Sequence, residues 1–156
     1  MGAAVLPLDG LYQLGFMTRD LDAAMAMLGE RYGVSRFRRR RNHDWMETAH
    51  AYAGESMLEL IAVGPGAPAL YADFALEPGT VARLHHLGRR ITDAQGWRGL
   101  EAAIAASGLA TPMIGVAMGG ELKYAYVDTR ADLGVYSEYV WLSGAAAHLY
   151  DDVPHN

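Results

Sequence analysis

The sequence contains no cysteine. That absence excludes disulfide bonds, thiolate catalysis and cysteine-ligated metal centres together. No stretch approaches the ~18 uncharged apolar residues that a membrane-spanning helix needs. The opening, Met1 to Asp9, has no basic segment and too short an apolar run for a secretory signal. Leu6 stands where a myristoylation signal beginning Met-Gly wants Ser or Thr. Positive charge is also scarce, with 13 basic against 18 acidic residues and a net charge of −5. This balance favours solubility and disfavours general nucleic-acid binding. The expectation is a soluble, cytoplasmic protein with neither nucleic acid nor membrane as a partner.

What is present is globular. Half of the chain is hydrophobic (51%) and a fifth is charged (20%), so an ordinary core is affordable and disorder is not expected. The 156 residues suit one domain, residues 1–156, and are too few for two independent ones. Any metal site must be built from His, Asp, Glu, Gln or backbone oxygen. Such donors suit zinc, cobalt, nickel, manganese, iron or magnesium.

Alternation predicts a strand from Leu11 to Met17. Asp20 is placed to cap a helix through Tyr32, with Leu21, Ala24, Met25 and Leu28 on one face and Gly33 as its stop. Strands are expected at Val34 to about Arg40, Met46 to Ala53 and Ser56 to Val63. A Gly/Pro/Ala stretch, Gly64 to Thr80, follows, with room for a short helix around Leu70 to Phe74. The second half repeats the order. A strand at Arg83 to Ile91 leads to a helix from about Asp93 to Ser107, with Trp97, Leu100 and Ile104 on one face and Gly108 as its stop. Strands then cover Thr111 to Met118, Leu122 to Asp128 and Tyr136 to Leu142. The tail beyond Gly144 reads as peripheral.

The duplication is visible in letters as well as in pattern. Gln13-Leu14-Gly15 is followed by Asp20, and His86-Leu87-Gly88 by Asp93, each Asp seven positions after the first residue of its motif. Two pseudo-equivalent modules, about 11–63 and about 83–143, are therefore expected to pack together.

Chemistry is sought in polar residues set inside apolar strands. Glu59 lies in Met57-Leu-Glu-Leu-Ile-Ala-Val63, and Glu138 in Tyr136-Ser-Glu-Tyr-Val-Trp-Leu142. A buried carboxylate without a partner costs several kcal/mol, so such a residue faces water, pairs with a cation or binds a metal. Taken alone, either Glu reads equally as a solvated strand face, and Gln13 as a hydrogen-bonded core amide. Period-two alternation sends the adjacent His85 and His86 to opposite faces, so one of them at most enters a shared cavity. His86 occupies the place in its module that Gln13 occupies in the first. Each module thus offers one ligand on its first strand and one carboxylate on its last.

Ala53-Gly54-Glu55-Ser56 reads as a hairpin turn with Gly at the first central position. Paired residue numbers then sum to 109, which sets His50 opposite Glu59. His50 is a candidate proton carrier, an extra ligand, or a hydrogen-bond partner that orients Glu59.

With these residues in hand, the chain resembles the vicinal oxygen chelate superfamily. It is similar in particular to glyoxalase-like proteins such as the methylmalonyl-CoA epimerases and lactoylglutathione lyases. The resemblance rests on Gln13-Leu-Gly-Phe with Asp20-Leu-Asp-Ala-Ala24, Leu58-Glu-Leu-Ile61 and His85-His-Leu-Gly88. It continues through Tyr126-Val-Asp-Thr-Arg130, Leu133-Gly134 and Glu138-Tyr-Val140, and so spans about residues 11 to 143. It implies an α+β fold of two tandem βαβββ modules, forming a curled mixed sheet around a metal-binding cleft. Carried over residue by residue, the metal ligands fall on Gln13, Glu59, His86 and Glu138. That set resembles the zinc type of lactoylglutathione lyase. The epimerases commonly have His at the first position and Gln at the second, and Gln13 and Glu59 depart from that pattern.

The resemblance further implies a divalent cation, zinc foremost, that chelates two substrate oxygens and stabilises an enediolate. Glu138 would act as base, with His50 or Glu59 as the second proton carrier of an epimerase. The partners it implies are a small acyl or carbonyl substrate and a second copy of the chain in a homodimer. Other readings are a lyase acting on thiol conjugates, an iron-dependent dioxygenase, and a metal-free drug-sequestering protein. The dioxygenase would want a second cleft histidine in place of Gln13 or Glu59. The run Arg36-Phe37-Arg38-Arg-Arg-Arg41 reads either as a clamp for carboxylate or phosphate or as a solvated edge strand that repels edge-to-edge pairing.

Overall fold

The computed structural model describes residues 2–156 and is mixed α+β. Its contacts divide into two compact units. One contains Gln13–His85 and the C-terminal Asp151–Asn156; the other contains the segment ending at Tyr12 and His86–Tyr150. The strands and helices read β-α-β-β-β twice.

In the first module β1 (Leu11–Met17) leads to α1 (Leu21–Tyr32), β2 (Arg38–His43), β3 (Met46–Ala53) and β4 (Ser56–Val63). The strands lie in the order β2-β3-β4-β1. β1 runs parallel to β4, and the other pairs are antiparallel. Asp20 caps α1, its Oδ1 accepting from the Ala23 N–H at 3.1 Å, and Gly33 ends the helix at φ +73°. Only a residue without Cβ takes that left-handed conformation at no steric cost. Leu21 and Ala24 of α1 pack with Ala49 and Leu60 on one face of the sheet. Val34, Ala51 and Leu58 continue that apolar layer.

A short helix, α2 (Ala69–Ala72), precedes the second module. This consists of β5 (Arg83–Ile91), α3 (Ala94–Ser107), β6 (Met113–Ala117), β7 (Leu122–Val127), a one-turn helix α4 (Arg130–Leu133) and β8 (Tyr136–Leu142). Its sheet runs β5-β8-β7-β6, again with one parallel pair, β5 with β8. Asp93 caps α3 through the Gly96 N–H at 2.7 Å. Trp97 and Leu100 of that helix bury against Ile91, Ala125, Val127 and Tyr139. The N-terminal segment is tied to the same unit: Tyr139 Oη donates to the Pro7 carbonyl at 2.9 Å and Arg89 Nε to that of Leu8 at 3.0 Å.

Three expectations need correction. The second strand begins at Arg38 rather than Val34. The cause lies in the tail, which is not peripheral: Val153 is buried, and Tyr52 forms a parallel bridge with His155. The Tyr52 N–H donates to the Pro154 carbonyl at 2.8 Å and the Asn156 N–H to the Tyr52 carbonyl at 3.1 Å. The tail therefore takes the edge of β3 beyond His50, where the residues before Arg38 would otherwise have paired. Ser35 and Arg36 satisfy their N–H groups on Asn156 Oδ1 instead. The helical turn at Arg130–Leu133 is the other feature not expected. Among the described residues no helix is long and apolar enough to cross a membrane.

Candidate active site

The sheet registers decide which side chains share a face. In the first module His50 is the partner of Glu59 across β3 and β4, and Gly15 is the partner of Glu59 across β1 and β4. Gln13, two residues before Gly15, points to the same side. So does Arg38, the partner of His50 across β2 and β3. The apolar layer under α1 uses the alternate residues, Ala49, Leu58 and Leu60, so the polar set occupies the face away from that helix.

The hairpin that fixes this register turns at Gly54, with φ +62°. His50 Nε2 and Glu59 Oε2 are 2.9 Å apart, with side chains 4% and 14% exposed. Gln13 is buried on the neighbouring strand. The hydrogen bond orients the carboxylate, and a proton can pass between imidazole and carboxylate along it.

The second module repeats the plan. Gly88 is the partner of Glu138 across β5 and β8, and His86 precedes it by two residues on the same face. His86 Nε2 lies 2.8 Å from Glu138 Oε2. His86 is fully buried. Glu138 Oε2 is also buried, and no donor is aligned on it in hydrogen-bond geometry. Each module therefore sets a glycine directly beside its carboxylate. Neither glycine puts a side chain beside that carboxylate.

The position that His50 fills opposite Glu59 is filled by Tyr126 opposite Glu138. Tyr126 presents its ring edge-on to His86, with centroids 5.3 Å apart and planes at 83°. Tyr124 lies on the same face and folds across Gly115, where an added Cβ would overlap its ring. Lys123 points to the other face, 5.1 Å over Trp141. His85 turns away from its neighbour. It is buried in the Gln13–His85 unit, its Nε2 2.9 Å from the Leu70 carbonyl, stacked on Tyr71 and edged by Phe74.

The arginine run alternates in the same way. Arg39 and Arg41, on the α1 side, are held by Glu47, and Arg39 also by Asp22 at 2.6 Å. Arg38 and Arg40, on the His50 side, share the carboxylate of Asp152 at 2.5 Å and 2.8 Å. Arg38 draws the Asp152 carboxyl below the usual carboxylate range.

Gln13, His50 and Glu59 are thus gathered on one face of the β1–β4 strands, and His86 and Glu138 on one face of the β5–β8 strands. The sequence offers Lys123, Tyr124 and Tyr126 as cleft residues without fixing their face. The structure sets Tyr124 and Tyr126 on the Glu138 side and Lys123 on the other. Sequence reasoning missed the glycines Gly15 and Gly88. The glycines were nonetheless present in the repeated Gln-Leu-Gly and His-Leu-Gly motifs. Within each module the donors, a carboxylate with an amide oxygen or an imidazole, are of the hard or borderline character that suits a divalent cation. A buried carboxylate oxygen with no aligned donor is where such a cation would bind.

No sequence-family model matches the chain, and no curated protein matches it in sequence. Solved structures do match in fold. A Streptomyces coelicolor methylmalonyl-CoA epimerase variant in complex with 2-nitronate-propionyl-CoA is 19% identical with a TM-score of 0.63, covering 90% of this chain and 98% of that one. The methylmalonyl-CoA epimerase from Mycobacterium tuberculosis is 18% identical with a TM-score of 0.65, covering 94% of this chain and 96% of that one. An epimerase in complex with methylmalonyl-CoA and NH4+ is 19% identical with a TM-score of 0.63. The likeness is one of fold over nearly the whole length of both partners.

Proposed function

We propose that this chain, which shares the fold of methylmalonyl-CoA epimerase structures, is a divalent-metal-dependent epimerase of a small acyl or carbonyl substrate. The proposed ligands are Gln13, Glu59, His86 and Glu138, two from each module, and the proposed cation is zinc. The observation that carries this reading is the buried His86–Glu138 pair, with Nε2 and Oε2 at 2.8 Å and that oxygen lacking an aligned donor. The duplicated placement of Glu59, again beside a glycine on its first strand, supports the same assignment.

The cation, when bound, supplies positive charge beside the substrate oxygen on which negative charge grows as the carbon acid ionises. The rest of the chemistry falls to the chain. Glu138 receives the proton at a carboxylate oxygen. Epimerisation also needs a proton delivered to the opposite face of the carbon. His50 is suited to this: its Nε2 is held by Glu59, which fixes the orientation of the ring. Tyr126, edge-on against His86, limits how far that ring can turn.

The test is proton exchange. Purified protein loaded with zinc, cobalt or manganese is incubated in deuterium oxide with a panel of chiral acyl-CoA thioesters and 2-hydroxy carbonyl compounds. The reading expects deuterium at the carbon next to the carbonyl together with racemisation, both abolished by a chelator. Carbon–sulfur bond formation or cleavage without racemisation would point to a lyase. Binding of the panel with no exchange at any metal loading would contradict the enzyme reading.

A further inference from the structure

Two arginines on the His50 side of β2 share one carboxylate that comes from the far end of the sequence. Arg38 Nη1 lies 2.5 Å from Asp152 Oδ1, and Arg40 Nη2 lies 2.8 Å from Asp152 Oδ2. A carboxylate bridging two guanidiniums is the geometry by which arginine pairs bind carboxylates and phosphates. The neighbouring arginines differ: Arg39 and Arg41 meet Glu47, on the adjacent strand, and Arg39 also meets Asp22, on the helix packed against that face.

Asp152 is not needed to fix the tail that carries it. Val153 is buried, the Tyr52 backbone pairs with Pro154 and Asn156, and His155 stacks flat on Tyr52 at 4.3 Å. Asn156 side-chain atoms bond to Ser35, Arg36 and Tyr52. The Asp152 side chain itself is 56% exposed. It can therefore swing into water while the tail stays in place.

The register puts this arginine pair in line with the proposed chemistry. Arg38 is the partner of His50, and His50 of Glu59. Two strand spacings therefore separate Arg38 from Glu59, roughly 10 Å between backbones. That is too far for the oxygens chelated at a cation and a suitable reach for a remote anionic group.

We propose that Arg38 and Arg40 are the docking point for an anionic handle of the substrate, and that Asp152 is an internal competitor which the handle displaces. The handle carries a carboxylate or a phosphate, the two groups whose oxygens reproduce those of Asp152. This inference rests on the proposed placement of the reaction at Glu59 and Glu138. Binding energy from the remote contact would then be available to position the reacting carbon.

The test is direct binding, carried out in chelator so that metal content has no influence. Calorimetric titrations with malonate, inorganic phosphate and coenzyme A are compared for the unaltered protein, Asp152→Asn, Arg40→Gln and the pair Arg38→Gln/Arg40→Gln. Arg40→Gln is the variant least exposed to folding failure, since Arg40 lies on the open edge strand, and thermal melts confirm that each variant is folded. Asp152→Asn should tighten one of the probes at least ~5-fold, and the arginine variants should weaken it at least ~10-fold. Tightening with malonate alone identifies a carboxylate handle; tightening with phosphate or coenzyme A identifies a phosphate. Unchanged or weaker binding of all three probes to Asp152→Asn overturns the proposal. So does an equal loss in the pair Arg39→Gln/Arg41→Gln. Failure here with intact metal-dependent exchange would leave the epimerase reading standing, and the reverse outcome would leave the anion site standing without it.

Discussion

His50 and Glu59 face each other across the β3–β4 hairpin, Nε2 to Oε2 at 2.9 Å. Glu138, the counterpart of Glu59 in the second module, faces Tyr126 instead. The duplicated scaffold is symmetric in its carboxylates and glycines and asymmetric in what stands opposite them. The proposed epimerisation calls for one proton carrier on each face of the carbon, and His50 is the group assigned to the second of these roles.

Replacing His50 by Gln should therefore separate the two proton transfers. Metal content should stay near that of the unaltered protein. Racemisation should fall ~10²-fold or more, the usual scale for a lost general acid or base. Deuterium exchange from the enantiomer handled by Glu138 should survive better than exchange from the other. Chiral chromatography coupled to mass spectrometry of each starting enantiomer reads this directly. Equal loss for both enantiomers would remove His50 from the role of second proton carrier.

The shelf under Tyr124 gives a second expectation. A methyl group at Gly115 would overlap the Tyr124 ring and push it along the face that bears Glu138. Gly115→Ala should fold, since its strand lies at the sheet edge. It should raise KM severalfold with a smaller change in kcat, as expected when ground-state and transition-state binding fall together. Steady-state kinetics on the substrate found by the exchange screen would show the split.

Acid should loosen the arginine-held carboxylates. Asp152 and Asp128 are both held below the usual carboxylate range by their arginine neighbours, Arg38 and Arg130. Groups depressed in the folded state add stability at neutral pH, and that contribution is lost as pH falls from about 4 downwards through the lowered values. Melting temperatures of the unaltered protein and of Asp128→Asn should differ at pH 7 and converge by about pH 2. A gap that persists at low pH would show that the Asp128→Asn effect is steric rather than ionic.

Much of this arrangement was legible in the sequence, for local reasons. β1, β3, β4, β5 and β8 begin and end where alternation and turn residues say they should. Asp20 with Gly33, and Asp93 with Gly108, bound their helices through the orphaned backbone groups at each end. The His50–Glu59 register follows from the two central residues of a single turn. What was not legible is non-local. Nothing near Val34 reveals that the edge of β3 beyond His50 is taken by residues more than a hundred positions later, and nothing near Arg38 reveals Asp152. The role of Tyr126 was equally hidden, because alternation tells which residues share a face and not which face bears the carboxylate.

The packing beneath the site can be tested independently. Leu100 is buried at 1% exposure among Trp97, Ile91 and Tyr139. Leu100→Ala should destabilise the protein by about 2–5 kcal/mol, the range for a large-to-small change in a packed core. Urea unfolding curves measure this, and a loss below about 1 kcal/mol would show that α3 packs loosely.

If Gln13 and Glu59 of the first module and His86 and Glu138 of the second hold one cation, as proposed, metal stoichiometry will show it. Inductively coupled plasma mass spectrometry after loading and desalting should find about one divalent ion per chain in the unaltered protein. Glu59→Ala, from the first module, and His86→Ala, from the second, should each retain close to none while melting as folded proteins. Two ions per chain, or a full ion retained in either variant, would contradict the shared centre.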